Sequence, residues 1–414
     1  MNPLADKATL SPFDRGFEAA LACAVPTRET CLRPLFETLG GVLAEDLICS
    51  RALPPFANSA MDGYGVRLSE AGQNVPIAAT FLAGESADGF ELPAGSACKV
   101  MTGSVIPKGV EAVVPFEKAP PEGPSVTLPE RIKAGDHIRP AGEEVQKGER
   151  LLAAGSVIGG AQMALLASQG ISEVKLIRPL RAAILSTGSE IVEPWQKAAD
   201  HQVHNSNGAA IYGLLKTLGA EVDYLGALHD SPETLHRALG DLARYDLLIT
   251  SGGVSTGEAD FTDRVLRDAG LKVAVQSMAL KPGKNMMIGT LGRTVVMGLP
   301  GNPQAAMTLM TLIGGSLAAK LQGRTQHYPA TALAQMGQSL KLKDDRAHII
   351  LGRLEKGRFY AIDEYRYGSG MLTPLARSTC FAIVRQGTAK LKKDALIRVV
   401  WPLNFSDEAD FFAL

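Results

Sequence analysis

The sequence DLLITSGGVSTGEAD, residues 246–260, decides the fold class of this chain. Its first half is a short apolar run that predicts a buried strand, and its second half is a polar turn rich in glycine. The same succession occurs in RAAILSTGSE, residues 181–190, and strands alternate with helical patterns as far as residue 323. This alternation predicts a mostly parallel, doubly wound α/β sheet.

The segments on either side of this sheet have different patterns. Residues 51–148 and 326–414 contain short β-branched runs separated by glycine and proline, which predicts an all-β insertion domain and a small C-terminal β domain. Residues 1–50 and 149–178 carry apolar residues at helical spacing, which predicts an elongated helical linker domain. The apolar positions are Phe17, Leu21, Ala24, Leu35, Leu39, Val42 and Leu43, and the later run is GAQMALLASQG. With an α/β domain over residues 179–325, the prediction is an α/β multidomain chain.

The composition excludes several classes of partner. The 414 residues include 42 Lys plus Arg and 43 Asp plus Glu, a formal net charge of −1. Without a basic block, we expect neither nucleic acid nor a membrane surface as a partner. No apolar run approaches the roughly 20 residues that span a bilayer, and no secretory signal pattern is present, so we expect a cytoplasmic protein. The 5 cysteines lack a C-x-x-C pair and fit reduced thiols.

Four polar clusters follow strands of the predicted α/β domain. They are STGSE (186–190), HDSPE (229–233), SGGVSTGEAD (251–260) and LPGNP (299–303). Ligands of open α/β sheets bind at the carboxyl ends of the strands, where glycine lets the backbone approach a phosphate closely. Glycine and aspartate are also common in ordinary turns, but four clusters at one edge favour a ligand site. Walker and Rossmann motifs are absent from the sequence, and no G-x-S-x-G match indicates a serine hydrolase.

The charged residues of these clusters suggest an anionic ligand. Glu190, Asp230 and Asp260 are hard oxygen donors that suit a magnesium ion bound to substrate phosphates. Lys281 and Lys284, in ALKPGKN, could meet an oxyanion. A cap or turn role for Asp230 and a solvated lysine pair are the alternatives.

Two further clusters lie in the predicted β insertion. PPFANSAMDGYGVR (54–67) contains Asp62, and KVMTGSVIPKG (99–109) contains Thr102. Two ordinary turns would explain the same residues. His201 and His204 have no third ligand at metal spacing, so a structural or exposed role is expected for them.

Taken together, these motifs resemble those of the molybdopterin molybdenumtransferases, the molybdenum insertases, a family that includes the E domain of gephyrin. The matching segments, which span nearly the whole chain, are PPFANSAMDGYGVR, KVMTGSVIPKGVEAVVP, IRPAGEE, AAILSTGSEIV, ITSGGVSTGEADF, KPGKN and GLPGNP. The resemblance implies an α/β domain similar to the molybdopterin adenylyltransferase fold. It also implies a magnesium-dependent transferase of molybdenum cofactor biosynthesis, which converts adenylylated molybdopterin and molybdate into the molybdenum cofactor and AMP.

The resemblance also implies roles for individual residues. The catalytic set would be Asp62, Thr102, Glu190, Asp230, Asp260, Lys281 and Lys284, with Glu190 and Asp260 nearest the metal. The cofactor-binding set would be Gly188, Ser251, Gly252, Gly253, Pro300, Gly301, Asn302 and Pro303. Family members are homodimers, and the resemblance implies a site shared between subunits. The molybdopterin adenylyltransferase and recipient molybdoenzymes are the implied protein partners.

Several positions depart from the family pattern. They are Gly65, Glu144, Asn285, the strand MMIG (286–289) and Gln304. The last three line the expected site, so the alternative is a catalytically diverged cofactor-binding chaperone or paralogue. A third alternative is an adenylyltransferase, but the β insertion and the C-terminal domain argue against it, because that family needs only the α/β unit.

Overall fold

A computed structural model describes residues 12–228, 240, 242–253 and 261–406. Contacts divide the chain into two compact units. The first, called the insertion unit below, comprises residues 46–153 and 165–171, and the second, the main unit, contains the other described residues. No helix of the described ranges is long and apolar enough to cross a membrane.

The main unit contains the predicted parallel sheet. Its strands are β1 (Arg181–Thr187), β2 (Glu221–Leu228), β3 (Leu247–Ser251), β4 (Lys272–Ser277), β5 (Asn285–Leu291) and β6 (Thr294–Leu299). The order is β2-β1-β3-β6-β5-β4. Strands β2, β1, β3 and β6 are parallel, whereas β5 and β4 add an antiparallel edge. The α/β fold class is therefore confirmed.

Both faces of this sheet are buried, which explains its continuous apolar strands. Ala182 and Ile184 pack into one hydrophobic cluster, and the alternate residues Ala183 and Leu185 pack into another. The α-helices that the described residues of this part form are Ser206–Thr217, Phe261–Asp268, and a run formed by Pro303–Leu309, a π-helical turn Met310–Gly314, and Gly315–Leu321.

The C-terminal residues form a second six-stranded sheet. In spatial order its strands are Leu280–Lys281, Ala347–Glu355, Arg358–Ala361, Tyr328–Met336, Leu396–Ser406 and Cys380–Val384. Pairing of Ala347–Glu355 with Cys380–Val384 closes the last five strands into a small barrel. Short strands Leu340–Lys341 and Lys390–Leu391 and the short helix Thr373–Arg377 complete this part. The first strand carries Lys281, so the lysine motif is attached to the barrel.

The helical prediction for residues 1–50 is wrong beyond the first helix. The described helix is Pro12–Ala22, whereas Thr30–Pro34 and Val42–Leu43 are strands that both pair with Glu173–Ile177. The sequence spacing is helical for Leu35, Leu39, Val42 and Leu43. However, Gly40 has a φ of 77° and interrupts any helix there.

The predicted linker helix near the insertion is present, but it is shorter than its segment. It spans Gly160–Ser168, while Arg150–Leu152 and Glu173–Ile177 are strands. The two segments 1–50 and 149–178 therefore form mixed rather than helical structure. They adopt strands because they pair with one another across more than a hundred residues of sequence, which local periodicity does not report.

The insertion unit is built from the predicted short strands. Its six-stranded sheet has the order Ala112–Pro115, Gly63–Val66, Ala97–Val100, Asn74–Phe81, Ser125–Thr127 and Pro121–Glu122. The shorter pairs are Asn58–Ser59 with Ile138–Arg139, and Leu47–Ile48 with Arg150–Leu152. Frequent turns of glycine and proline separate these strands, as the sequence predicts.

Candidate active site

The carboxyl ends of β1, β3 and β6 lie side by side. The sheet register aligns Ser186 with Ser251 and Ser251 with Leu299. A cavity of about 970 Å³, called the rim cavity below, opens at these ends. The predicted residues on its wall are Gly188, Glu190, Ser251, Gly252, Gly253, Pro300, Gly301, Asn302 and Pro303. The structure thus gathers three of the four predicted clusters.

Gly252 shows why this edge requires glycine. Its φ is 92°, and a Cβ atom there would lie 2.3 Å from the carbonyl oxygen of Thr187. Its backbone N–H donates to the carbonyl oxygen of Leu299 at 3.0 Å. The ends of β1, β3 and β6 can therefore approach one another closely only because residue 252 has no side chain.

Asn207 connects two of the clusters, and sequence reasoning missed it. Its Nδ2 atom donates to Ser251 Oγ at 2.8 Å and to the carbonyl oxygen of Gly301 at 2.9 Å. Asn207 lies in the first turn of the helix Ser206–Thr217 and lines the rim cavity. The sequence signal is an Asn two residues after the N-cap Asn205 of a helix, which is too common to be noticed alone.

A buried carboxylate, that of Glu193, stabilises the sheet edge at the rim cavity. Glu193 accepts hydrogen bonds from the N–H of Ala227 at 2.6 Å, the hydroxyl of Tyr224 at 2.8 Å and the amide of Asn205 at 3.3 Å. Asn205 in turn caps the helix Ser206–Thr217. Burial, together with Glu193, raises the pKa of Tyr224. Glu193, also missed at the sequence level, holds the strand end and the helix N-terminus together.

A second pocket, of about 460 Å³ and called the cationic pocket below, contains the predicted lysines. It shares Asn285, Pro300 and Asn302 with the rim cavity. Among the described residues, no carboxylate lies within ion-pair distance of Lys281 or Lys284. Their positive charges are therefore available to an anion.

The turn between these lysines also requires glycine. Gly283 has a φ of 105°, and a Cβ atom there would lie 2.8 Å from Leu309 Cγ. Because the turn packs so closely on the helix Pro303–Leu309, Lys281 and Lys284 are fixed relative to the LPGNP cluster.

Several residues of the cationic pocket come from the C-terminal barrel. Arg346, Tyr365, Tyr367 and Ser369 lie on its wall, and Arg346 forms an ion pair with Asp345. Sequence reasoning did not single them out. They reach the pocket because Leu280–Lys281 pairs in parallel with Ala347–His348. Such a long-range pairing leaves no local motif.

In the insertion unit, the structure brings Asp62 and Thr102 together. Thr102 donates its backbone N–H at 2.7 Å and its hydroxyl at 2.8 Å to Asp62 Oδ1. These two bonds, the backbone one first, lower the pKa of Asp62 below its ordinary value. Both side chains are exposed. The pair is thus an ionised carboxylate presented at the surface of its unit.

Two predicted acidic residues, Asp230 and Asp260, lie outside the described residues, as do the cluster HDSPE and residues 254–260. Glu190 is exposed on the wall of the rim cavity. Within the described ranges no group of three or more His, Cys, Asp or Glu side chains gathers at metal-binding distance. A single carboxylate nevertheless fits magnesium, which keeps several waters and takes substrate phosphates as further ligands.

The fold and these cavities define a multidomain chain whose α/β domain matches a known binding module. Family models match as follows: the MoeA N-terminal region (domain I and II) at residues 12–170, a probable molybdopterin binding domain at 183–319, and the MoeA C-terminal region (domain IV) at 334–400.

Full-length relatives identify the family. A molybdopterin molybdenumtransferase of Haemophilus influenzae is 37% identical over 382 residues, covering 87% of this chain and 91% of the relative. One from Nostoc is 30% identical over 387 residues, covering 89% and 88%. The chain belongs to the molybdopterin molybdenumtransferase family. A solved structure of the molybdopterin biosynthesis moeA protein from Pyrococcus horikoshii, 24% identical, has the same fold, with a TM-score of 0.82 over 95% of this chain and 100% of that one.

Proposed function

We propose that this chain inserts molybdenum from molybdate into adenylylated molybdopterin and releases AMP, as a step of molybdenum cofactor biosynthesis. This proposal rests on one observation: two cavities of different chemistry lie next to each other. The rim cavity offers glycine turns and a carboxylate, and the cationic pocket offers the ammonium groups of Lys281 and Lys284. They meet at Asn285, Pro300 and Asn302.

Each cavity suits one of the two substrates. The glycines at 188 and 253 on the wall of the rim cavity let the pterin and nucleotide phosphates approach the backbone closely. Lys281, Lys284 and Arg346 offset the charge of molybdate in the cationic pocket. The reacting pterin would then lie where the two cavities meet.

Magnesium is part of the proposal. Glu190 would hold the ion from the wall of the rim cavity, together with Asp260. When bound, magnesium offsets the charge of the phosphoanhydride that is cleaved. Removal of the ion with a chelator should then reduce AMP release.

We also propose a homodimer, in which Asp62 and Thr102 of one subunit complete the site of the other. Three large apolar side chains of the main unit support a second copy as partner. Phe36 is 89% exposed, Leu39 70% and Leu32 59%. Apolar groups exposed in this way are typical of interfaces. A mass measurement in solution tests the dimer directly.

The activity is tested with purified protein, adenylylated molybdopterin, molybdate and Mg²⁺. We expect AMP release that requires molybdate and falls sharply in Lys281→Met and Lys284→Met. Lys390, an exposed lysine of the short strand Lys390–Leu391, gives the matched control Lys390→Met, which should retain activity. No AMP release by the wild-type protein would refute the proposed function.

A cofactor-binding chaperone is the second candidate. The buried amide of Gln304 and the side chain of Asn285 on the pocket wall favour it, because both depart from the family pattern. Tight binding of the pterin by the wild-type protein without AMP release would identify this case.

A further inference from the structure

Tyr365 lies between Lys281 and His348 on the wall of the cationic pocket. The Lys281 Nζ atom lies over the tyrosine ring, 5.6 Å from its centroid. The Tyr365 hydroxyl and His348 Nδ1 are 2.7 Å apart, and His348 Nε2 and the carbonyl oxygen of Lys343 are also 2.7 Å apart. Because a carbonyl only accepts, Nε2 carries the proton and Nδ1 accepts from the tyrosine hydroxyl.

The backbone places these three side chains together. In the parallel pairing of Leu280–Lys281 with Ala347–His348, Lys281 and His348 are register partners. His348 is only 1% exposed, and both of its ring nitrogens are hydrogen-bonded. The proposed reaction uses Lys281 but gives no role to His348 or Tyr365.

The segment that carries Tyr365 has an unusual conformation. Asp363, Glu364 and Tyr365 have φ angles of 45°, 52° and 65°, three consecutive non-glycine residues in the left-handed region. Such a conformation persists only where the surroundings hold it. Here the hydroxyl of Tyr367 accepts the N–H of Leu351 at 2.7 Å, and Tyr365 is held by His348. The position of the Tyr365 ring is therefore built into the fold.

We propose that Tyr365 is a positioning residue, which holds the Lys281 ammonium toward the oxyanion in the cationic pocket, and that His348 acts through Tyr365 by fixing its ring. The identity of that oxyanion, molybdate, rests on the proposed function; the positioning does not.

The physical reason is the conformational freedom of lysine. A cation within about 6 Å of an aromatic centroid is attracted to the ring face. A long flexible side chain loses rotamer freedom when it binds a ligand. When the ring already holds the ammonium, the lysine loses less rotamer freedom on binding. The anion therefore binds more tightly. The imidazole contributes because it prevents the ring from leaving this position.

The positioning is measured by NMR after reductive methylation with ¹³C-formaldehyde, which keeps the lysine charge. Lys281→Arg assigns the Lys281 resonance. We expect this resonance upfield of the exposed lysines, because its methyl groups lie over a ring face. Tyr365→Leu should move it to the position of the exposed lysines, and His348→Leu part of the way. His348→Gln, whose amide oxygen can accept the tyrosine hydroxyl, should restore it.

The same samples are then titrated with molybdate alone. The dissociation constant should rise roughly two- to fivefold in Tyr365→Leu and His348→Leu, and remain close to the wild-type value in His348→Gln. Lys390→Met serves as the control, as above.

The possible results separate the two proposals. A Lys281 resonance that is the same in the wild type and Tyr365→Leu overturns the positioning, whatever molybdate does. The expected resonance shifts without any response to molybdate support the positioning and contradict the proposed function. If His348→Leu does not fold, Tyr365→Phe removes only the hydroxyl, and an unchanged Lys281 resonance in that variant overturns the role of His348.

Discussion

Thr102 donates its backbone N–H and its hydroxyl to the same carboxylate oxygen of Asp62, at 2.7 and 2.8 Å. The sequence singled out these residues in separate motifs, 40 positions apart. Since the pair is exposed, hydrogen bonding to the ionised form is what lowers the pKa of Asp62. The hydrogen bonds from Thr102 therefore predict how the pKa of Asp62 responds to substitution, and this prediction does not depend on catalysis.

We expect Thr102→Val to raise the pKa of Asp62 partway toward its ordinary value, because it removes one donor and keeps the backbone N–H. Thr102→Ser keeps both donors and is the matched control. The measurement is a ¹³C carboxyl NMR titration. Because the folded pKa is lowered, the pair stabilises the fold above the unfolded pKa of about 3.9 and loses this effect as the pH falls through the folded pKa. An unchanged titration in Thr102→Val would contradict the assignment.

Asp246 should be important for the stability of the main unit. Arg178 donates to its two carboxylate oxygens at 2.6 and 2.9 Å, and the N–H of Arg181 donates at 2.9 Å. The side chains of Arg178 and Asp246 are 7% and 10% exposed. Asp246→Ala leaves the guanidinium with Glu29 as its remaining carboxylate partner, so urea denaturation should show a loss of about 3–5 kcal/mol.

The matched control is Glu45→Ala, which removes an exposed ion pair with Lys175 at 2.8 Å. Its expected cost is below about 1 kcal/mol. Equal losses in the two variants would show that burial does not distinguish these pairs.

Much of the rim cavity could be predicted because its residues follow strands directly in sequence. Once the alternation of strands and helices is recognised, STGSE, SGG and LPGNP must meet at one edge. The cationic pocket could be predicted only in part. Lys281 and Lys284 belong to a local motif, but Arg346 and Tyr365 arrive through the pairing of Leu280–Lys281 with Ala347–His348.

The error in the linker region has the same physical origin. Leu35, Leu39, Val42 and Leu43 have helical spacing, yet Phe36 and Leu39 are 89% and 70% exposed, so no buried helical face exists. The segment is organised instead by its pairing with Glu173–Ile177. Local periodicity cannot report a partner so distant in the chain.

Gln304 offers a test of the pocket wall. It is 1% exposed, and its Nε2 atom has no hydrogen-bond partner among the described residues. A buried donor left unpaired costs about 1–3 kcal/mol, so Gln304→Met should stabilise the protein by roughly 1 kcal/mol in thermal denaturation. Gln304 also lines the cationic pocket, so this variant should change molybdate binding.

Thr308, one helical turn further, is the matched control. Its hydroxyl is likewise buried and without a partner in the described part of the chain. Thr308→Val should raise stability by a similar amount and leave molybdate binding unchanged. Loss of stability in Gln304→Met would indicate that its amide is satisfied in solution.

The thiols give the last prediction. All five cysteines are free, and Cys49, Cys98 and Cys380 are buried. Burial raises the pKa of Cys98 to about 12 and that of Cys380 to about 11. Because the thiolate is the reactive form, both should resist a thiol reagent at pH 8 until the protein unfolds. The half-buried Cys23 and Cys31 should react first.

The assay compares labelling rates with and without denaturant, using Cys98→Ser and Cys31→Ser. If Cys98→Ser removed a fast phase from the native protein, the strand Ala97–Val100 would have to open far more readily than its full burial implies.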